Sequence, residues 1–323
     1  VQGLPLHPAR PPRPILPPWG TPQRFVVGPG DLCSFLSFLF LLKKVVRIIS
    51  FYVKVEIMNS LVRNFFAGKE EPSFKEVLFL NEMPDAKWDD VSKKAPDLPR
   101  GWFELSRVSA VDRIDFTRDF WLDRIPYHPS AHPSFFEFFE QLDDVVVVLT
   151  RRKDDAPFEA QLVYSLADNS TFFRGYPPAR DNDLQELKVE VEVSLPHDYL
   201  SFMRIHNGFG KLSEMGLLEV GEIAHARRRV MDLLIQTDKR VKSGDVDVDP
   251  GALIPFYESL GLASFQCFYT DWYPGSEMGN VYLSGIDYIL SDVSDKKAWT
   301  ENLAFPTFSE WLAYYLQGMN LCT

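Results

Sequence analysis

The chain has 323 residues, 46% of them hydrophobic and 14% aromatic, with 45 acidic against 34 basic side chains. That is enough apolar chain for one large or two ordinary cores, and it excludes a disordered or fibrous protein. The charge is unevenly spread: residues 1–57 hold seven Lys/Arg against Asp31 and Glu56, which leaves 27 basic and 43 acidic residues, net −16, in 58–323. So acidic a stretch repels phosphates and argues against a nucleic-acid partner. Cys33, Cys267 and Cys322 are too scattered for a disulfide framework or a zinc site, which fits a reducing, cytoplasmic compartment.

Nine of the 24 prolines fall in residues 1–30, a composition that favours extended backbone without a core. The apolar run Leu32–Leu42 follows and stops at Lys43-Lys44. A membrane span needs about 20 apolar residues, so this run is too short unless three cations enter the bilayer with it. The first Met is Met58. Residues 1–57 are therefore expected to be an extension outside the fold, with Met58 as a candidate start. A signal or membrane anchor is the alternative.

One helix-start pattern recurs three times, as Pro72-Ser73-Phe74-Lys75-Glu76, Pro133-Ser134-Phe135-Phe136-Glu137 and Pro306-Thr307-Phe308-Ser309-Glu310. Ser or Thr at the N-cap accepts from the backbone N–H three residues on, while the Glu reaches back. Unequal spacings and unlike flanks make these convergent caps rather than a repeat. Between them, 143–152 and 158–166 read as neighbouring strands. A short strand and linker follow, so a boundary is expected near Asp183, dividing a mixed α/β region (58–183) from a second domain (184–323).

That second domain opens with "SLPHDYLSFMRIHNGFG", residues 194–210. Pro196 suits the first helical position, and Asp198 favours the positive end of the dipole. Tyr199, Phe202, Met203 and His206 keep the spacing of one buried stripe, and Asn207-Gly208 supply a left-handed stop. Periodicity predicts a helix over 219–236, whose Arg227-Arg228-Arg229 read as a solvated face. Phe265, Cys267 and Tyr269 alternate on one side of a strand, and "WYPGSEMGN" turns into a partner strand at 281–285. Helices mixed with antiparallel strands indicate an α+β fold.

Catalytic signals are sparse. His128 and His132 are four apart, but prolines follow both and oppose the helix a shared metal would need. His206 reads as a hydrogen-bonded core histidine, Cys267 as a small core residue and Asp143-Asp144 as solvated acids at a strand entrance. No phosphate loop, dinucleotide fingerprint, nucleophile elbow or zincin motif occurs. Neither a cofactor nor a metal is expected.

In order, "LPHDYLSFMRIHNG", "LIPFYESLG", "CFYTD", "GNVYLS" and "FPTFSEWLAYYL" form a pattern over about 184–320. It resembles the SUKH superfamily, which includes fungal Smi/Knr cell-wall regulators, Syd-like proteins and bacterial toxin-immunity proteins. The resemblance implies a strongly bent, mostly antiparallel sheet with helices on one side, no catalytic apparatus, and another protein as partner. The helix near 221–242 and the charged segment after it separate the first two motifs more widely than in compact members. On this reading the protein is a non-enzymatic binding module, an immunity-type inhibitor or regulatory adaptor, whose acidity suits a basic partner. Asp271, Trp272, Tyr273 and Glu277 are the candidate contact residues, with Trp272 facing the core and Tyr273 displayed. The alternatives are an enzyme with an acidic-aromatic pocket near Asp271, and a membrane-anchored or exported protein acting through residues 32–57.

Overall fold

A computed structural model describes residues 60–68, 74–214, 216–236, 241–259 and 262–317. The proline-rich segment, the apolar run and the cap expected at Ser73 lie outside the described residues. Helix α1 (Ser60–Ala67) precedes strand β1 (Glu76–Phe79). Helices α2 (Trp88–Lys94), α3 (Arg100–Leu105), α4 (Ala110–Arg124) and α5 (His132–Glu140) then follow. Strands β2 (Leu142–Arg151), β3 (Glu159–Leu166) and β4 (Phe172–Gly175) lead into helices α6 (Asp181–Val191) and α7 (His197–Met203), and then β5 (Phe209–Lys211). Helix α8 (Val220–Gln236) is followed by the small pair β6 (Lys242–Ser243) and β7 (Val246–Asp247). The chain closes with β8 (Leu253–Ser259), β9 (Ser264–Tyr269), β10 (Asn280–Ser284), β11 (Ile289–Leu290) and helix α9 (Phe308–Leu316).

The strands form a five-stranded sheet in the order β1-β2-β3-β4-β5 and a four-stranded sheet in the order β11-β10-β9-β8, antiparallel throughout. Leu217 joins them by bridging Phe209 on one side and Tyr257 on the other. One core lies against both sheets, packing Val147, Tyr164, Phe173 and Phe209 of the first with Ile254, Phe256 and Phe268 of the second. A sheet whose single face meets one core from both halves is bent around it. Helix α9 occupies the bend. Its Tyr315 ring meets Phe173 at 5.9 Å and Tyr257 at 5.4 Å, and Trp311 meets Phe256 at 4.8 Å. On the outer faces, Val62 and Phe66 of α1 cover Val146, Val148, Val163 and Phe172, while Val230 and Leu234 of α8 cover Phe265, Cys267 and Val281. The alternation of Phe265, Cys267 and Tyr269 thus belongs to the face beneath α8. The fold is α+β.

Asp183 lies in the first turn of α6, inside one compact unit that takes in the described residues.

Several local expectations need correction. Helix α5 starts at His132 behind Ala131, and Ser134 sits inside it, accepting from Gln317 Nε2 at 3.0 Å. Pro133 fits the first turn, so the helix starts ahead of the expected cap. Phe74-Lys75-Glu76 lead into β1 rather than a helix, because Glu76–Phe79 find a ladder on Arg151–Val148. Helix α7 ends at Met203, four residues before Asn207. Only Gly208 of the Asn-Gly pair is left-handed (φ 97°). The Asn207 side chain works elsewhere, accepting from the Val220 N–H at 2.8 Å at the start of α8. Asp198 likewise reaches beyond its own helix. Its Oδ2 accepts from the Ser309 N–H at 2.8 Å and the Ser309 hydroxyl at 2.9 Å, which ties α7 to α9.

Asp144 is the largest correction. It is fully buried, not solvated, and takes Arg113 Nε at 2.8 Å and Nη2 at 2.7 Å in a two-pronged ion pair. A register shift between Leu142 and Asp144 interrupts the ladder there, and α4 packs over it. Burial pushes the carboxyl up, opposed by the Arg113 guanidinium and the Val145 N–H.

Candidate functional site

The loop joining β9 to β10 begins at a rigid root. Asn280 is buried and its side chain makes three hydrogen bonds, two of them donated to the carbonyls of Phe305 (3.3 Å) and Thr307 (3.0 Å). Its Oδ1 accepts from Gln266 Nε2 at 2.8 Å. Backbone bonds between Asn280 and Phe305, both 2.9 Å, add the segment that leads into α9. The loop itself is closed by Trp272 N–H to Tyr269 C=O (3.0 Å), Gly279 N–H to Trp272 C=O (2.9 Å) and Tyr269 N–H to Gly279 C=O (3.0 Å). Gly279 is required where it stands, because a Cβ there would come within 2.2 Å of the Trp272 ring.

Within this frame the four candidate residues divide. Trp272 is half-buried and packs edge-on against Trp299, centroids 5.2 Å apart. Asp271 and Glu277 are exposed, and Tyr273 is 52% exposed beside Pro274. Gly275 and Ser276 both take left-handed backbone, which turns the chain back sharply after Tyr273. Tyr269, below the loop, has its phenol pushed up by burial and by the Asp271 carboxylate. Lys296 lies over the Trp299 ring at 5.6 Å, so a cation sits behind the loop and the rim is not uniformly acidic. The loop thus offers one projecting aromatic flanked by two carboxylates on a fixed base.

The other sequence candidates are buried or dispersed. His206 is fully buried and spans two partners: Nδ1 lies 3.0 Å from the Tyr176 carbonyl and Nε2 lies 2.6 Å from the Tyr164 hydroxyl. A neutral ring donating from Nδ1 and accepting at Nε2 satisfies both, and Tyr164 in turn accepts from Trp121 Nε1 at 3.1 Å. Burial lowers the imidazole to about 4. Cys267 is buried with its thiol pushed up, which suits packing rather than chemistry. His132 heads α5, where its Nδ1 accepts from the His128 N–H at 3.1 Å. Among the described residues no three His, Cys, Asp or Glu side chains converge as a metal site would require. Of the arginine triplet, Arg228 and Arg229 are exposed, whereas Arg227 is half-buried and donates to the Gly251 carbonyl at 2.8 Å.

A cavity of about 230 Å³ lies elsewhere, between Leu78, Leu80, Val91, Leu149 and Phe158, with Asp85, Lys87 and Lys94 around it. Residues 271–279 do not line it. The sequence reading also passed over a surface on α4, where Phe116 and Phe120 face solvent while Ile114, Thr117 and Trp121 face the core. The signal was present as two phenylalanines four apart, offset from the buried stripe.

The model of the SMI1 / KNR4 family (SUKH-1) matches residues 178–314, from just before α6 to within α9. No curated protein matches the chain.

Proposed function

We propose, from the match of residues 178–314 to the model of the SMI1 / KNR4 family (SUKH-1), that the protein is a non-enzymatic, protein-binding module that engages its partner through the β9–β10 loop. The observation that carries this reading is Tyr273, held half-exposed on a loop whose root is locked to α9 by Asn280. A fixed, projecting aromatic is the kind of anchor that dominates interface energy. Asp271 and Glu277 beside it, with net −16 over residues 58–323, favour a basic partner through steering and complementarity. The partner class is a regulatory client or a toxin-like target held inactive. An enzyme would place polar groups together in a cleft, whereas here the two carboxylates and the phenol stand out in solvent. Among the described residues no helix is long and apolar enough to cross a membrane.

The experiment is a paired affinity capture from the native cells, with the wild-type chain and a Tyr273→Ala/Glu277→Lys variant as baits. The reading expects a basic protein retained by the wild type and lost by the variant. Identical captures would remove the loop as the contact site.

A further inference from the structure

Five aromatic side chains are exposed among the described residues, and four of them, Phe116, Phe120, Tyr127 and Phe136, fall within 21 residues of α4, α5 and their connection. On α4, Phe116 (61% exposed) and Phe120 (42%) stand one turn apart on a face offset from the buried Ile114, Thr117 and Trp121. On α5, Phe136 (48%) faces outward while Phe135, Phe138 and Phe139 pack on Trp121. Trp121 thus locks the two helices side by side, each with phenylalanine on its solvent face. Exposed aromatic side chains that adjoin on one surface mark interaction sites.

Charge indicates what that partner is. Residues 110–142 carry six acids, Asp112, Asp115, Asp119, Asp123, Glu137 and Glu140, against three arginines, of which Arg113 is buried in its pair with Asp144. The other two are already engaged: Arg118 with Asp115 and Asp119 at 2.8 and 2.9 Å, and Arg124 over the Phe120 ring at 5.3 Å. Glu137 and Glu140 follow Phe136 on α5, and both are exposed. The surface is therefore aromatic and net negative. A second copy would bring like charges together, which disfavours self-association.

We propose that the outer face of α4 and α5 is a second docking surface, separate from the β9–β10 loop and outside the SUKH-1 segment, for a basic amphipathic polypeptide that seats apolar side chains on Phe116 and Phe120 and cations beside Asp119, Glu137 and Glu140. The proposal does not rest on the loop being the first site.

The test uses the full chain and an 18-residue Lys/Leu peptide with its leucines on one helical face. Two control peptides replace every Leu by Ser or every Lys by Glu. Binding is followed by fluorescence anisotropy for the wild type, Phe116→Ser/Phe120→Ser and Tyr273→Ala, with sedimentation velocity of the free proteins alongside. The proposal expects the Lys/Leu peptide to bind the wild type and Tyr273→Ala equally. The double serine variant should bind at least about ten-fold more weakly, with an unchanged thermal melt because both rings lie outside the core. Both control peptides should bind poorly. Equal affinity for the double variant, no binding by the wild type, or a wild-type dimer that the double variant dissolves would each overturn it.

Discussion

Gly175 stands so close to His206 that a Cβ on it would lie 2.3 Å from the imidazole Nδ1. Strand β4 reaches its end there, and the His206 ring fills the space a side chain would need. The closeness lets His206 meet the Tyr176 carbonyl one residue further on, at 3.0 Å. Gly175→Ala should therefore destabilise by about 1–3 kcal/mol through overpacking. A urea melt with an unchanged midpoint would show that the ring can move aside freely.

His206 also sets a pH dependence. In the unfolded chain it protonates near 6.5, whereas in the fold it stays neutral down to about 4. Between those values the unfolded state binds the extra proton, so stability falls as pH falls, by roughly 3 kcal/mol in all at 1.36 kcal/mol per pKa unit. His206→Gln removes this titration. Its stability deficit relative to wild type should be largest at pH 7 and shrink toward pH 4. A deficit that stays constant across that range would mean the ring is not held neutral.

The Arg113–Asp144 pair is buried on both sides, with side chains 8% and 0% exposed. Removing one partner leaves an uncompensated charge, so Asp144→Ala should cost about 3–5 kcal/mol. The apolar double replacement Arg113→Met/Asp144→Leu should recover most of that loss. If the single and double variants melt alike, the pair's value lies in packing and not in its charges.

Thr307 caps α9 by accepting from the Glu310 N–H at 3.2 Å, as its sequence pattern anticipates. The Glu310 carboxylate does not return to the Thr307 backbone. It instead accepts from the Thr307 hydroxyl at 3.3 Å and from Ser130 at 2.7 Å. Thr307→Ala should cost about 1 kcal/mol in a denaturant melt. Ser130→Ala should cost less, because its hydroxyl is exposed and water can replace it.

These residues also mark what the sequence makes legible. Apolar periodicity locates α7 with its Tyr199, Phe202 and Met203, and His206 just beyond its end, all fully buried. It also locates the Val/Ile-rich strands, because burial of one face leaves a local spacing signature. Side-chain partners far apart in the chain leave no such signature. Asp198 reads as a dipole-compensating acid, yet it binds Ser309, 111 residues away. Asn207 reads as a helix stop and is a cap for another helix. Asp144 reads as solvated because nothing local announces Arg113, 31 residues earlier. The same limit applies to the loop at 271–279: its turn residues are visible in sequence, but its anchoring through Asn280 to Phe305 and Thr307 is a tertiary fact.

The central claim is that Tyr273 is a partner's anchor and not a structural residue. The direct measurement is calorimetric titration of the partner recovered by the wild-type bait against wild type and Tyr273→Ala, with a thermal melt of each. The account predicts an affinity loss of about 1–3 kcal/mol with nearly unchanged melting temperature. Unchanged affinity would contradict it, and a large fall in melting temperature would return Tyr273 to the core.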